Sequence, residues 1–231
     1  DYGSFLGEKV NEFITEKQIK NLDFIASHGH TVFHQPEKGI TKQIGKGQRI
    51  AEITNCKVVC DFRSQDVLLG GQGAPLVPIG DRLLFSEYDA CINLGGFANI
   101  SFEKDNERIA FDISPVNVVL NYYSQKLGFE YDDKGQLSSE GTINESVLEK
   151  LNQLKFYKKQ PPKSLGIEWV NSIILPLLSE IENPQDVLRT FTEHVAKQLA
   201  NNIDRFKTVL FTGGGVFNSF LISRIQRKTN R

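Results

Sequence analysis

Asp61 and Arg63 stand two residues apart, after the apolar Lys57-Val58-Val59-Cys60 and before Gly70-Gly71-Gln72-Gly73-Ala74-Pro75-Leu76-Val77-Pro78. Alternate residues on a strand project to one side, and glycine lets backbone come close to a ligand. A buried strand that ends in an opposite charge pair and a glycine-rich turn therefore reads as a ligand site; a salt bridge followed by a loop is the plainer alternative. Asp112 is the second candidate. It closes the strand-like Arg108-Ile109-Ala110-Phe111 and precedes Ser114-Pro115, where proline sets the start of a helix. A carboxylate at the end of a strand can serve as a general base, or can merely cap the helix after it.

Two glycine clusters could meet phosphate. Asn93-Leu94-Gly95-Gly96-Phe97-Ala98-Asn99 is a strand, a glycine pair and a second strand, whose amides can face an anion; an ordinary hairpin turn has the same look. In Phe211-Thr212-Gly213-Gly214-Gly215-Val216-Phe217-Asn218 a strand ends in three glycines that open directly onto a helix. That order suits a nucleotide at a helix N-terminus, or a close-packed turn. Weaker signals are His28-Gly29-His30 with His34, whose spacing matches no metal-ligand set, so no metal is expected there. Lys163, in Pro161-Pro162-Lys163-Ser164-Leu165-Gly166, could meet a phosphate or carboxylate or lie in solvent. Tyr131-Asp132-Asp133-Lys134-Gly135 lacks the acidic spacing of a calcium loop, and His194 reads as structural in a long helix.

The elements that must carry these residues alternate. Apolar spacing predicts a helix over 4–15 capped by Ser4, a strand over 22–26, a hairpin across 31–45, a helix over 48–54, a strand over 57–62 and a helix over 66–69. A three-stranded meander should follow at 90–94, 98–103 and 108–112, then helices over 116–127, 145–154, 167–178 and 184–205. A strand over 208–211 and a last helix close the chain. The pattern predicts mixed α/β layers in two parts, 1–80 and 81–231.

Composition narrows the class. Charged residues make up 24% and the formal net charge is -1, so nothing suggests a nucleic-acid partner or a polybasic membrane patch. No apolar run reaches the roughly 18 residues of a membrane span. Cys56, Cys60 and Cys91 are odd in number and lie in apolar surroundings, which fits reduced thiols and a cytoplasmic protein. There is no methionine, so Asp1 is not expected to be the native start, and the chain reads as a piece of a longer protein.

These blocks carry a resemblance. Asp61-Phe62-Arg63 with the run from Gly70 to Pro78 resembles the signature of the anhydro-N-acetylmuramic acid kinases, a branch of the sugar kinase, Hsp70 and actin superfamily. Ser27-His28-Gly29-His30-Thr31-Val32-Phe33-His34-Gln35-Pro36, Asn93 to Ile100, Pro161 to Gly166 and Thr212 to Asn218 match in the same order. The resemblance implies an incomplete two-lobed actin-like ATPase (ribonuclease H-like) fold, with residues 1–80 the sugar-facing remainder of one lobe and 81–231 the nucleotide-bearing lobe. It implies a kinase that uses ATP and Mg²⁺ to open 1,6-anhydro-N-acetylmuramic acid with water and to phosphorylate O6, in cell-wall recycling.

By the same resemblance Asp112 activates the water. Ser27, His28, Thr31, Asp61, Arg63 and Asn117 face the sugar, and Gly71, Gly73, Asn93, Gly95, Gly96, Gly213, Gly214 and Gly215 hold the nucleotide. The implied partners are the amino sugar, ATP and a second copy in a homodimer. Where many members read Phe-Asp-Thr-Gly-Pro-Gly-Asn, this chain has Phe111-Asp112-Ile113-Ser114-Pro115-Val116-Asn117, which should bring bulk where backbone approach is expected. Members also open with a Gly-Thr-Ser-rich hairpin and close with a glutamate-bearing helix, neither found here, so this piece is expected to be inactive. A nucleotide-binding signalling protein of the same superfamily, and a sugar kinase of other specificity, are the alternatives.

Overall fold

The computed structural model describes residues 1–35, 38–71, 73 and 75–229, and of His34 the backbone alone. Pro36, Gln72 and Ala74, quoted in the motifs above, lie outside the described residues. The fold is mixed α/β, and the chain divides into two compact units, Asp1–Val77 and Pro78–Arg231.

In the first unit, α1 (Tyr2–Glu16) packs on α2 (Gly47–Thr54). Gly3 and Gly7 permit this, since a Cβ on Gly7 would stand 3.0 Å from Cβ of Ile53. The cap of α1 is Asp1 rather than Ser4: its carboxylate accepts the Ser4 amide at 2.9 Å. Strand β1 (Ile25–Ser27) starts three residues later than the apolar pattern suggests. Next come β2 (His30–Gln35) and β3 (Ile40–Ile44), an antiparallel pair, and β4 (Val58–Cys60), parallel to β1 with Ser27 opposite Cys60. The expected burial of β4 is not found, since Val59 is 48% exposed and Cys60 is exposed. Its described pairing is with β1 alone, so neighbours do not enclose it on both sides. After α3 (Ser64–Leu68), α4 (Val77–Leu84) begins at the unit boundary.

The second unit is built on a four-stranded sheet in the order β7-β6-β5-β8. Strands β5 (Ala90–Leu94), β6 (Phe97–Lys104) and β7 (Glu107–Pro115) form the meander. They are followed by α5 (Asn117–Lys126), α6 (Gln136–Glu140), α7 (Glu145–Asn152) and α8 (Lys155–Lys158). The helix read over 167–178 is α9 (Ile167–Trp169) and α10 (Leu175–Leu178), joined by one π-type stretch, Val170–Ile174. Then α11 (Pro184–Ile203), with Asn183 as cap and Pro184 in its first turn, packs against α5, α6, α7 and β7. Strand β8 (Val209–Thr212) runs parallel to β5, and α12 (Ser219–Lys228) packs on α11.

Most of the core is here. Ile92, Leu94, Leu120, Leu151, Ile174, Leu188, Phe191 and Leu199 are each 2% exposed or less, whereas in the first unit only Ile50 and Val67 are buried hydrophobics among the described residues. Each such side chain contributes about 1.5–3 kcal/mol, so the second unit is the stiffer platform. Two boundaries bear on function. Strand β7 runs on to Pro115, three residues past Asp112, so Asp112 lies within the strand and α5 starts only at Asn117. The three glycines do not open directly onto a helix: a 3₁₀ turn, Gly214–Phe217, intervenes, and Asn218 caps α12 by accepting the Leu221 amide at 2.9 Å.

Candidate active site

The expected site residues fall into two clusters, one in each unit. In the first, Ser27 ends β1 and Asp61 follows β4, so the pairing of Ser27 with Cys60 brings the two strand ends together. Asp61 has φ of 60°, and its carboxylate accepts the Ser64 hydroxyl at 2.5 Å. Arg63 turns elsewhere: its Nε donates to His28 Nε2 at 2.9 Å and its Nη1 donates to the Gly73 carbonyl at 2.6 Å. With Nε2 accepting, Nδ1 of His28 carries the proton and donates to the Gly29 carbonyl at 3.1 Å. His28 is thereby a fixed tautomer. Thr31 accepts from Gln43 at 3.2 Å.

The glycine turn of this unit closes on the protein itself. Gly73 donates its amide to Asp66 Oδ2 at 2.6 Å, Gly71 donates to the Asp66 carbonyl at 2.8 Å, and a Cβ on Gly71 would collide with the Asp66 carboxylate. The close approach that demands glycine is thus to Asp66, a residue the motif reading passed over. The clue was available: a carboxylate seven residues before a glycine in such a turn can accept its amide.

In the second unit, Asn93, Gly95, Gly96, Asn117, Gly213 and Gly215 gather at the C-terminal end of β5. Gly213 has φ of 85°, and a Cβ there would strike the Asn93 side chain and stand 2.8 Å from the Leu94 carbonyl oxygen; on Gly215 it would stand 2.9 Å from that same oxygen. Asn117 donates to the same carbonyl at 3.4 Å. The carbonyl of Gly96 accepts the amides of Val116 and Val118, and that of Gly95 accepts the amide of Asn117, so the hairpin is locked to the start of α5. Of the glycines at this strand end, only Gly214 is placed so that a Cβ would meet no atom within 4 Å.

Beside these glycines lies a cavity of about 570 Å³, lined among others by Asn117, Asn121, Tyr131, Lys134, Gly214 and Phe217. Tyr131 and Phe217 are 55% and 81% exposed, which leaves their rings free to take a planar group. Glu130, Asp132 and Asp133 make the wall largely acidic. Asp132 is buried and engaged: its carboxylate accepts the amides of Leu137 and Ser138 and the Ser138 hydroxyl, capping α6. The run 131–135 is legible in the sequence only as a poor match to a calcium loop; its place in a cavity wall is not. The left-handed Lys134 and Gly135, φ 56° and 77°, are a tertiary feature.

Asp112 is half-buried. Its amide donates to the Lys163 carbonyl at 3.1 Å and its Oδ2 accepts the Leu165 amide at 2.8 Å, so the 163–165 segment is strapped to it. Burial raises its pKa above the usual carboxylate value, against the lowering effect of the Leu165 amide. It does not cap α5, whose N-cap is Val116 without a side-chain bond. The substituted residues after it point inward: Ile113, Ser114 and Val116 are 1%, 0% and 0% exposed. The expected intrusion of bulk is therefore not found, since those side chains fill the core. Lys163 sits over the rings of Phe111 and Phe156 at 5.3 and 4.9 Å. His194 is buried, its Nδ1 against Asn152 and its Nε2 against Tyr157. Among the described residues no three His, Cys, Asp or Glu stand close enough to hold a metal ion.

One mixed α/β unit thus holds a glycine-lined cavity beside a strand end and a half-buried strand carboxylate. The profile of the family "Anhydro-N-acetylmuramic acid kinase" matches residues 1–230, and the chain belongs to that family of kinases. It is 37% identical over 220 residues to the anhydro-N-acetylmuramic acid kinase of Zymomonas mobilis, covering 91% of this chain and 60% of that one. It is 38% identical over 231 residues to that of Clostridioides difficile, covering 90% and 60%. The chain thus spans about 60% of the length of these relatives. Among solved structures, the activator of the 2-hydroxyisocaproyl-CoA dehydratase from Clostridium difficile with bound ADPNP matches at a TM-score of 0.42 and 15% identity, over 89% of this chain and 84% of that one.

Proposed function

We propose that this chain carries the nucleotide-binding and base-bearing part, and part of the sugar-binding surface, of an ATP-dependent kinase acting on 1,6-anhydro-N-acetylmuramic acid in cell-wall recycling. In this reading residues 1–80 belong to the sugar-facing lobe and 81–231 to the nucleotide-bearing lobe of a two-lobed actin-like ATPase fold. The observation that carries it is Asp112. One carboxylate oxygen is anchored by the Leu165 amide, the other is left for a water, and burial raises the affinity for a proton. Asp112 takes a proton from that water, whose oxygen bonds to the anomeric carbon as the bond from that carbon to O6 breaks. O6 then bonds to the γ-phosphorus of ATP, and ADP leaves with the bridging oxygen. Positioning and charge neutralisation supply most of the catalysis of such a transfer.

The acidic wall of the 570 Å³ cavity suits the nucleoside end of ATP: carboxylates accept ribose hydroxyls and repel phosphates, and Tyr131 or Phe217 offers a face to the base. The phosphates then run toward Asn93, Gly95, Gly96 and Gly213. No cage of protein carboxylates is available for Mg²⁺ among the described residues, so that ion would rely on the nucleotide phosphates for most of its ligands. Ser27, His28, Thr31, Asp61, Arg63 and Asn117 are assigned to the sugar, with Arg63 and His28 acting as one hydrogen-bonded unit. The protein is assigned to the cytoplasm and to a homodimer.

The test is Asp112→Asn in the product of the complete gene, with ADP release and ATP-analogue binding measured together. Turnover on the anhydrosugar should fall by about 10²- to 10⁴-fold, the usual worth of a general base, while the Kd for the analogue stays within a factor of two. Unchanged turnover would sink the assignment. Binding of the analogue without any sugar would instead favour a signalling protein. The inward packing of Ile113, Ser114 and Val116 removes the obstruction that recommended that second reading.

A further inference from the structure

A second cavity of the Pro78–Arg231 unit, about 380 Å³, shares no lining residue with the one at Gly214. Its lining includes five cations, Lys104, Lys158, Lys159, Lys163 and Arg205, and no carboxylate. None of the five joins an ion pair among the described residues, although Lys104 has Glu107 opposite it across the β6–β7 ladder. Two of the cations are fixed in place. Lys163 is held over Phe111 and Phe156, and the Arg205 guanidinium lies over Phe102 at 4.4 Å and Phe206 at 4.7 Å. Rings hold a cation in position without consuming its charge, as a carboxylate would.

Like charges crowded on one cavity repel one another, and a partly buried ammonium loses hydration; burial indeed lowers the pKa of Lys163. An anion in the cavity relieves both costs. A carboxylate carries one charge against five cations, whereas a phosphate brings close to two charges and oxygens enough for several donors. Asn201, Asn202 and Gln160 add neutral groups to the same wall, and Tyr157 and Pro161 add apolar surface for whatever bears the phosphate.

We infer that this cavity binds the phosphate group of a small phosphorylated molecule, at a site distinct from the cavity beside Gly214. The inference stands whether or not the kinase reading does. Lys163 also connects the site to Asp112, because its carbonyl accepts the Asp112 amide. Loading the cavity therefore bears on the strap that holds that carboxylate.

The single tryptophan offers a readout. Trp169 packs on Phe156 at a ring distance of 5.3 Å, and Phe156 lies beneath Lys163. The 231-residue chain is titrated at fixed ionic strength with phenyl phosphate, inorganic phosphate and phenylacetate, followed by Trp169 fluorescence and calorimetry. Phenyl phosphate should give a saturable signal, with phenylacetate at least tenfold weaker. Inorganic phosphate binding as tightly as phenyl phosphate identifies the free ion as the occupant; weaker binding identifies a phosphorylated organic molecule. Lys163→Gln should raise the Kd tenfold or more, and Lys163→Arg should restore most of it. The exposed pair Lys158→Gln and Lys159→Gln should weaken binding several-fold without touching the core, so the test survives if Lys163→Gln fails to fold. The inference is overturned by the absence of a saturable signal from either phosphate probe, by phenylacetate binding as well, or by unchanged affinity in both sets of variants.

Discussion

The two glycine-rich turns of this chain look alike in sequence and differ in what their glycines are for. Gly71 and Gly73 close on Asp66, in a unit with two buried hydrophobics among the described residues, while a Cβ on Gly70 would meet nothing within 4 Å. At 213–215 the glycines pack against Asn93 and Leu94 of a largely buried strand, and one of them, Gly214, is left open beside a cavity. Glycine marks close approach in both places. Each turn also holds one open glycine, Gly70 and Gly214, and of the two Gly214 lines the 570 Å³ cavity.

The sharpest way to break this contrast is to loosen the frame of the second turn. Helix α12, which follows it, is held to α11 by Glu193, 2% exposed and surrounded by Arg189, Arg224 and Lys228, the last at 2.9 Å. Glu193→Ala leaves three cations facing a buried gap. A loss of about 3–5 kcal/mol is expected, the usual result of removing one partner of a buried ion pair. Urea unfolding followed by Trp169 fluorescence measures it. In the first turn Asp66→Ala removes one acceptor, borne by the short, largely exposed helix α3, and should cost about 1 kcal/mol. Equal losses would mean that the two turns are supported alike.

Acid should separate the units next. His194 is fully buried in α11, and burial, helped by the charge of Lys197, lowers its pKa to about 3. The unfolded chain then binds a proton below about pH 6.5 that the folded unit refuses. Stability contributed by the neutral ring is present above pH 6.5 and is lost as pH falls toward 3, by up to roughly 1.4 kcal/mol per pH unit. Thermal unfolding by Trp169 fluorescence from pH 7 to 4.5 should show this slope, and His194→Gln should flatten it. A slope unchanged in that variant would assign the acid sensitivity to carboxylates instead.

The sequence made the meander, the 31–45 hairpin, α2 and α11 legible, because their patterns are long and their caps local. It misled where burial depends on neighbours: Val58-Val59-Cys60 has the apolar run of an interior strand yet is largely exposed beside a single partner. The sequence places Asp112 at the end of its strand, whereas it lies within β7, because Pro115 reads as a helix start while the ladder to β6 continues to it. The glycine clusters are visible in the sequence as well. That Asp66, Asn93 and Leu94 are what they approach is not, since a close approach involves two segments far apart or folded back on each other. The basic cavity had no local signature at all, since its members are gathered from turns, helix ends and strand faces far apart in the chain, whereas the Glu130–Lys134 wall is one short run that the sequence offers only as a poor calcium loop.

The smallest expected effect is the most discriminating. A Cβ on Gly214 meets nothing within 4 Å, and the residue lines the 570 Å³ cavity, so Gly214→Ala should change stability by less than about 0.5 kcal/mol. Gly213→Ala, at φ of 85° and in collision with Asn93, should cost about 1–3 kcal/mol. If the open glycine exists to admit a nucleotide, the methyl of Gly214→Ala should weaken ATP-analogue binding several-fold while unfolding is unmoved. A turn that serves packing alone predicts the reverse order: no change in affinity, and a stability loss at Gly214 comparable with that at Gly213. Calorimetric titration of the two variants side by side therefore decides whether this turn, unlike the one at Asp66, is built toward a ligand.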